Sequence, residues 1–115
     1  ETVVEEFSQA DCLVAFCDTN DASGQQTAKE TGSIFHKVDV SNKESLENCV
    51  LQILKEWGDL DIIINNVGIS NFSPITETSI EDFDKILSVN LRPVFITSRL
   101  LAINRKALSF PNPYG

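Results

Sequence analysis

The sequence predicts an α/β fold built on a doubly wound parallel sheet, and three observations carry that prediction. Short apolar runs of strand length alternate with helical patterns along the chain. The first of them, Cys12-Leu-Val-Ala-Phe-Cys17, is apolar on both faces, as a strand buried between two helix layers must be. Each run ends abruptly on polar residues, Asp18, Asp39 and the turn Asn65-Asn66-Val67-Gly68, at the strand ends where such sheets hold ligands.

Composition bounds the rest. The 115 residues carry 17 Asp and Glu against 9 Lys and Arg, a formal charge of −8, with 42% hydrophobic residues. That balance is globular, and the length fits one domain, residues 1–115. An acidic chain repels phosphate backbones, so a general nucleic-acid binder is not expected. No unbroken apolar run approaches the roughly 20 residues of a membrane helix, so no membrane partner is expected. The opening Glu1-Thr2-Val3-Val4-Glu5-Glu6 lacks the basic and apolar regions of a signal peptide. Residues 1–57 hold eleven acids and four bases, whereas after Asp84 only bases remain: Lys85, Arg92, Arg99, Arg105 and Lys106. That asymmetry fits a solvated helix face or a basic surface for a phosphate or partner. Three cysteines, Cys12, Cys17 and Cys49, cannot close a full disulfide set and show no zinc-type spacing. A reduced, cytoplasmic protein is therefore expected. His36 has no second ligand at metal spacing, so no metal site is expected.

The elements follow in order. Val3, Val4 and Phe7 share one face of a helix over residues 1–8, with Glu1, Glu5 and Glu6 outside. Nothing caps its start, so the chain reads as cut from a longer one. Cys12-Leu-Val-Ala-Phe-Cys17 reads as a buried parallel strand, and the polar stretch 21–31 as a helix ended by Gly32. Ser33-Ile-Phe-His-Lys-Val38 reads as a second strand. Ser41-Asn-Lys-Glu44 has the spacing of a capping box, with Ser41 as N-cap. Behind it Leu46, Cys49, Val50, Ile53, Leu54 and Trp57 recur at helical spacing up to Gly58. Leu60-Asp-Ile-Ile-Ile64 reads as a third strand, rich in β-branched residues. A loop with Pro74 leads to Ser79-Ile-Glu-Asp82, a second cap signal, and a long apolar helix from residue 83 to about 103. Pro93 lacks the N–H that the Val89 carbonyl needs and its ring clashes there, so a kink is expected near 89–93. Residues 110–115 read as loop. The order is helix–β–helix–β–helix–β–loop–helix.

These residues together resemble the short-chain dehydrogenase/reductase family over essentially the whole chain. Leu60-Asp-Ile-Ile-Ile-Asn-Asn-Val-Gly68 resembles that family's strand and Asn-Asn-Ala-Gly turn, with Val67 in place of Ala. Ser88-Val-Asn-Leu91 is similar to the segment carrying its active-site Asn. Val38-Asp-Val40 before a capped helix and Asp18 closing the earlier strand complete the pattern. The resemblance implies a Rossmann-like sheet of order 3-2-1-4-5 and an NAD(P)-dependent oxidoreductase acting on an alcohol or carbonyl. It implies that Asp18 accepts from the adenosine ribose hydroxyls, that Asp39 meets the adenine amino group with Val40 against the ring, and that Asn66, Val67 and Gly68 line the ribose side. It implies for Asn65 a role in steadying the sheet by hydrogen bonding. The resemblance further implies that Asn90 is the catalytic-site Asn, whose main-chain carbonyl would hold a relay water. A carboxylate at Asp18 repels a 2′-phosphate, and no Arg or Lys lies in residues 13–28, so NAD is favoured over NADP.

Other parts of the family pattern find no match. These are the glycine-rich phosphate loop, the catalytic Ser and the Tyr-x-x-x-Lys motif that supplies the general acid. Tyr114 is the single tyrosine and is not assigned as catalytic. The segments resemble the family's second, third and fourth strands, so the sheet is expected to be incomplete, without its first, central strand, and the chain inactive by itself. Where this chain has Pro93, relatives commonly have a small residue. Two other readings remain: a non-catalytic Rossmann-type module that binds nucleotide or a partner, and an acidic receiver with Asp39 as phosphoacceptor, which lacks the acid cluster and Lys it needs. Residues 83–103 are apolar on several faces, so this helix is expected to pack against a second copy in a homo-oligomer.

Overall fold

A computed structural model describes residues 2–107, in the order α1 (Thr2–Gln9), β1 (Ala15–Asp18), α2 (Asp21–Thr31), β2 (Ile34–Lys37), α3 (Lys43–Trp57), a 3-10 turn (Ile75–Glu77), α4 (Ile80–Asn90) and α5 (Arg92–Ala107). The expected loop at 110–115 and Tyr114 lie outside these residues. The chain divides into two compact units, Glu1–Asp39 and Val40–Gly115.

In the first unit, β1 and β2 pair in parallel, with Phe16 opposite Phe35, Cys17 opposite His36 and Asp18 opposite Lys37. The ladder extends by Ile34 N–H to the Val14 carbonyl at 3.0 Å and Val38 N–H to the Asp18 carbonyl at 3.1 Å. Both strands are shorter than the apolar runs predict, and Leu13 stays outside, because a ladder forms only where the partner strand reaches. Between the strands runs α2. Asn20 caps it, its side chain accepting from Ser23 N–H, and Gly32 ends it in the left-handed conformation at φ 71°. The buried Gly24 of α2 lies against Phe35, whose ring meets Phe16 at 5.3 Å between centroids. A Cβ at Gly24 would fall 2.1 Å from Phe35 Cε2. The missing side chain is what allows α2 this close to β2.

In the second unit, α3 buries Leu46, Cys49, Val50, Ile53 and Leu54, five of the six residues of the predicted stripe, and packs on α5, where Ile96 and Thr97 are buried. Each such aliphatic side chain contributes about 1.5–3 kcal/mol of transfer free energy. The N-cap of α3 is Asn42, not Ser41: the Asn42 side chain accepts from Ser45 N–H at 3.1 Å. Both residue types cap well. With Asn42 as cap, Glu44 sits one place too early to close the expected box. Ser79 caps α4 as expected, accepting from Asp82 N–H at 3.1 Å. The long helix breaks at Leu91, inside the interval that Pro93 predicts.

Residues 60–64 form no strand: the sheet of the described residues holds β1 and β2 alone. In the expected order the fourth strand lies between the first and the fifth, and none of the described residues occupies either place. Side chains of α5 hold the segment instead. Asn104 donates to the Gly58 carbonyl at 3.3 Å and Arg105 to the Leu60 carbonyl at 2.9 Å, with its guanidinium 3.5 Å from Asp59. Further along, Asn65 Nδ2 donates to Thr97 Oγ1 at 3.4 Å. The segment thus runs antiparallel to α5, from residue 104 back to 97. The two-stranded parallel sheet with its helices is an incomplete Rossmann-like arrangement.

By length and composition Ile80–Arg105, 26 residues, is long and apolar enough to cross a membrane. The stretch contains no unbroken apolar run of that length, because polar and charged residues interrupt it. Core helices of water-soluble proteins pass the same test, and here Arg92 and the break at Leu91 fall near the middle.

Candidate functional site

The candidate residues divide between the two units. In the first, Asp18 is the last residue of β1, and Asp39 stands two residues beyond the end of β2. Because the strands are parallel neighbours, both exposed acids sit at the same end of the sheet. Asp18 Oδ1 accepts from Asn20 N–H at 3.2 Å, which turns the chain into α2 and leaves Oδ2 for another donor. Lys37 is in register with Asp18, on the neighbouring strand. Residues 13–28 hold no base, and only strand pairing brings this lysine alongside.

In the second unit Val40 is half-buried ahead of α3. Asn66, Val67 and Gly68 are exposed, and the structure brings this turn against Asn90. Ile69 N–H donates to Asn90 Oδ1 at 2.8 Å, and Asn90 Nδ2 donates to the Ile69 carbonyl at 2.7 Å. The carboxamide thus takes one hydrogen bond from, and gives one to, the backbone of a single residue. At its other end the turn is tied through Asn65 to Thr97 of α5. Arg92 also donates to the Ser41 carbonyl, tying the start of α5 to the loop after Val40.

The helix break determines what remains at Asn90. Pro93 has no N–H. Val94 N–H goes to the Leu91 carbonyl at 3.1 Å, and Phe95 N–H reaches the same oxygen at 3.4 Å. No backbone donor of the first turn of α5 is therefore directed to the Asn90 carbonyl. A carbonyl that the helix backbone leaves open at a break is a place for a water.

Gly68 is required by nothing in the chain itself. Its φ is not positive, and a Cβ there would meet Asn90 Oδ1 at an ordinary 3.7 Å. A glycine unneeded for turn or packing, on an exposed loop, fits a position that a ligand approaches closely. Asp18 and Asp39, both acceptors, fit hydroxyl and amino donors.

Residues 1–106 match the model of the short chain dehydrogenase family. A sorbitol dehydrogenase of Cereibacter sphaeroides is 30% identical over 89 residues, which are 76% of this chain and 35% of that protein. A 3-beta-hydroxysteroid dehydrogenase of Comamonas testosteroni is 36% identical over 85 residues, 72% of this chain and 34% of its own length. Among solved structures, a short-chain dehydrogenase/reductase of Serratia marcescens superposes with a TM-score of 0.82 at 27% identity, covering 89% of this chain and 44% of that one. A 3-ketoacyl-(acyl-carrier-protein) reductase of Brucella melitensis in complex with NADH gives 0.80 at 26% identity, over 90% and 44%. The chain thus spans about a third of these curated relatives and under half of these solved chains.

Proposed function

The chain belongs to the short-chain dehydrogenase family, and from that premise we propose that it works as the central segment of an oxidoreductase moving hydride between a nicotinamide cofactor and an alcohol or carbonyl substrate. The observation that carries this reading is at Asn90. Its side chain is locked on Ile69, and its main-chain oxygen is left without a backbone donor at the break before Pro93. That leaves the oxygen able to hold a water in a proton relay, the role the family resemblance implies. The nicotinamide, when bound, supplies or accepts the hydride. Asn66, Val67 and Gly68 would line it on the ribose side, and Asp18 and Asp39 would accept from the adenosine. NAD is the favoured cofactor, because an exposed carboxylate at Asp18 meets a free 2′-hydroxyl better than a phosphate.

The apolar residues left exposed on α4, on α5 and at the break between them, among them Phe83, Leu91, Phe95 and Ile103, support assembly with a second copy through these helices. A reducing, cytoplasmic setting suits three cysteines that form no disulfide.

NADH titration of the full-length protein tests the reading, with Asp18→Ala as the comparison. Saturable NADH binding that weakens in Asp18→Ala supports it. No NADH binding by the wild-type protein overturns it, and equal affinity in the variant removes Asp18 from the site. Binding without turnover of any alcohol or carbonyl leaves a non-catalytic nucleotide-binding module.

A further inference from the structure

The turn 65–69 is anchored at both ends, and the two anchors stand on opposite sides of the helix break: Asn90 closes α4, and Thr97 lies one turn into α5 beyond Pro93. Thr97 is 4% exposed, among the most buried residues described. Its hydroxyl donates to the Pro93 carbonyl at 2.9 Å and leans on the Val94 carbonyl at 3.3 Å, so its lone pairs face outward to receive the Asn65 amide. A threonine used only to fill space here would be replaceable by valine. This one joins the proline that breaks the helix to the residue that opens the turn.

We propose that Thr97 is a positioning residue for cofactor binding: through Asn65 it fixes the turn carrying Asn66, Val67 and Gly68 relative to Asn90. The inference rests on the oxidoreductase reading above. With Thr97 in place, the turn has one height and one rotation against the α4–α5 pair. Without its hydroxyl, Asn65 loses its partner on α5, and the Ile69 pair with Asn90 alone holds the loop.

The test compares Thr97→Val, which keeps the shape and removes the hydroxyl, with Thr97→Ser, which keeps the hydroxyl, in the full-length protein. NADH affinity and hydrogen exchange at the amides of residues 67–69 are measured beside thermal stability. Thr97→Val is expected to weaken NADH binding about five- to tenfold, the scale of one hydrogen bond, and to speed exchange at residues 67–69. Thr97→Ser is expected to stay within about twofold of wild type, on the scale of one retained bond. If Thr97→Val does not fold, Asn65→Ala removes the same bond from the other side and is expected to show the same loss. Unchanged affinity and exchange in a folded Thr97→Val or Asn65→Ala protein overturns the proposal, as does an equal loss in Thr97→Ser. Failure of the wild-type protein to bind NADH would instead overturn the oxidoreductase reading, and exchange at 67–69 would still decide whether Thr97 holds the turn.

Discussion

The Asn90 carboxamide pairs with the backbone N–H and C=O of Ile69 as one strand pairs with another, giving one hydrogen bond at 2.7 Å and taking one at 2.8 Å. The pair joins residues 21 apart in sequence, a loop and a helix end. It explains why asparagine, and not a residue of similar size, stands at the break: only a carboxamide matches the backbone donor and acceptor of one residue together. Asn90→Asp keeps the acceptor and loses the donor, and Asn90→Leu loses both. Asn90→Leu is expected to cost about 1–2 kcal/mol in urea denaturation, with Asn90→Asp between it and wild type and faster hydrogen exchange at Ile69 in both.

Gly24 is expected to tolerate no side chain. Alanine would favour the helix by about 1 kcal/mol, but its Cβ would collide with a Phe35 ring already seated on Phe16. Overpacking of that kind costs about 1–3 kcal/mol, so Gly24→Ala should lower the melting temperature. Adding Phe35→Leu should recover part of the loss, a coupling that a double-mutant cycle measures directly.

Asn42 and Ser41 exchange roles between the sequence reading and the structure, and this too has a measurable outcome. Asn42→Ala removes the acceptor for Ser45 N–H and should destabilise α3 by about 1 kcal/mol. Ser41→Ala leaves that bond in place. A larger loss for Ser41→Ala than for Asn42→Ala would return the cap to Ser41.

Lys37 stands opposite Asp18 in the ladder and places a positive charge beside the acid proposed to select NAD. Lys37→Glu should therefore widen the preference for NADH over NADPH by about five- to tenfold, through charge at close range. Fluorescence titration with both cofactors reads the ratio. An unchanged ratio would show that Lys37 does not face the adenosine end.

Sedimentation velocity tests the exposed face of α4 and α5. Phe95, 64% exposed, and Leu91, 60% exposed, flank the start of α5. The wild-type protein should sediment as a dimer or larger at micromolar concentration. Leu91→Glu with Phe95→Glu should shift it to monomer while leaving the helical circular dichroism in place.

Much of the architecture is written locally in the chain and was legible from it. Gly32 and Gly58 end their helices because glycine takes a positive φ at little cost, and Ser79 starts α4 because its hydroxyl reaches the Asp82 amide three residues on. The stripe of α3 and the break forced by Pro93 are equally local. So are the motifs by which the chain resembles its family, including Asp18, Asp39, the 66–68 turn and Asn90. What the sequence could not determine depends on partners far along the chain. Residues 60–64 have the composition of a strand, yet a strand is a ladder between two chains of backbone, and no neighbour among the described residues supplies one. Asn42 and Ser41 are equivalent as caps until the rest of the helix fixes which amide comes within reach. The bonds of Asn90 to Ile69, Asn65 to Thr97 and Arg105 to Leu60 span 21, 32 and 45 residues. No periodicity records such pairs, because a hydrogen-bonding side chain has the same local preferences whichever distant group it meets. Tertiary packing chose the partners.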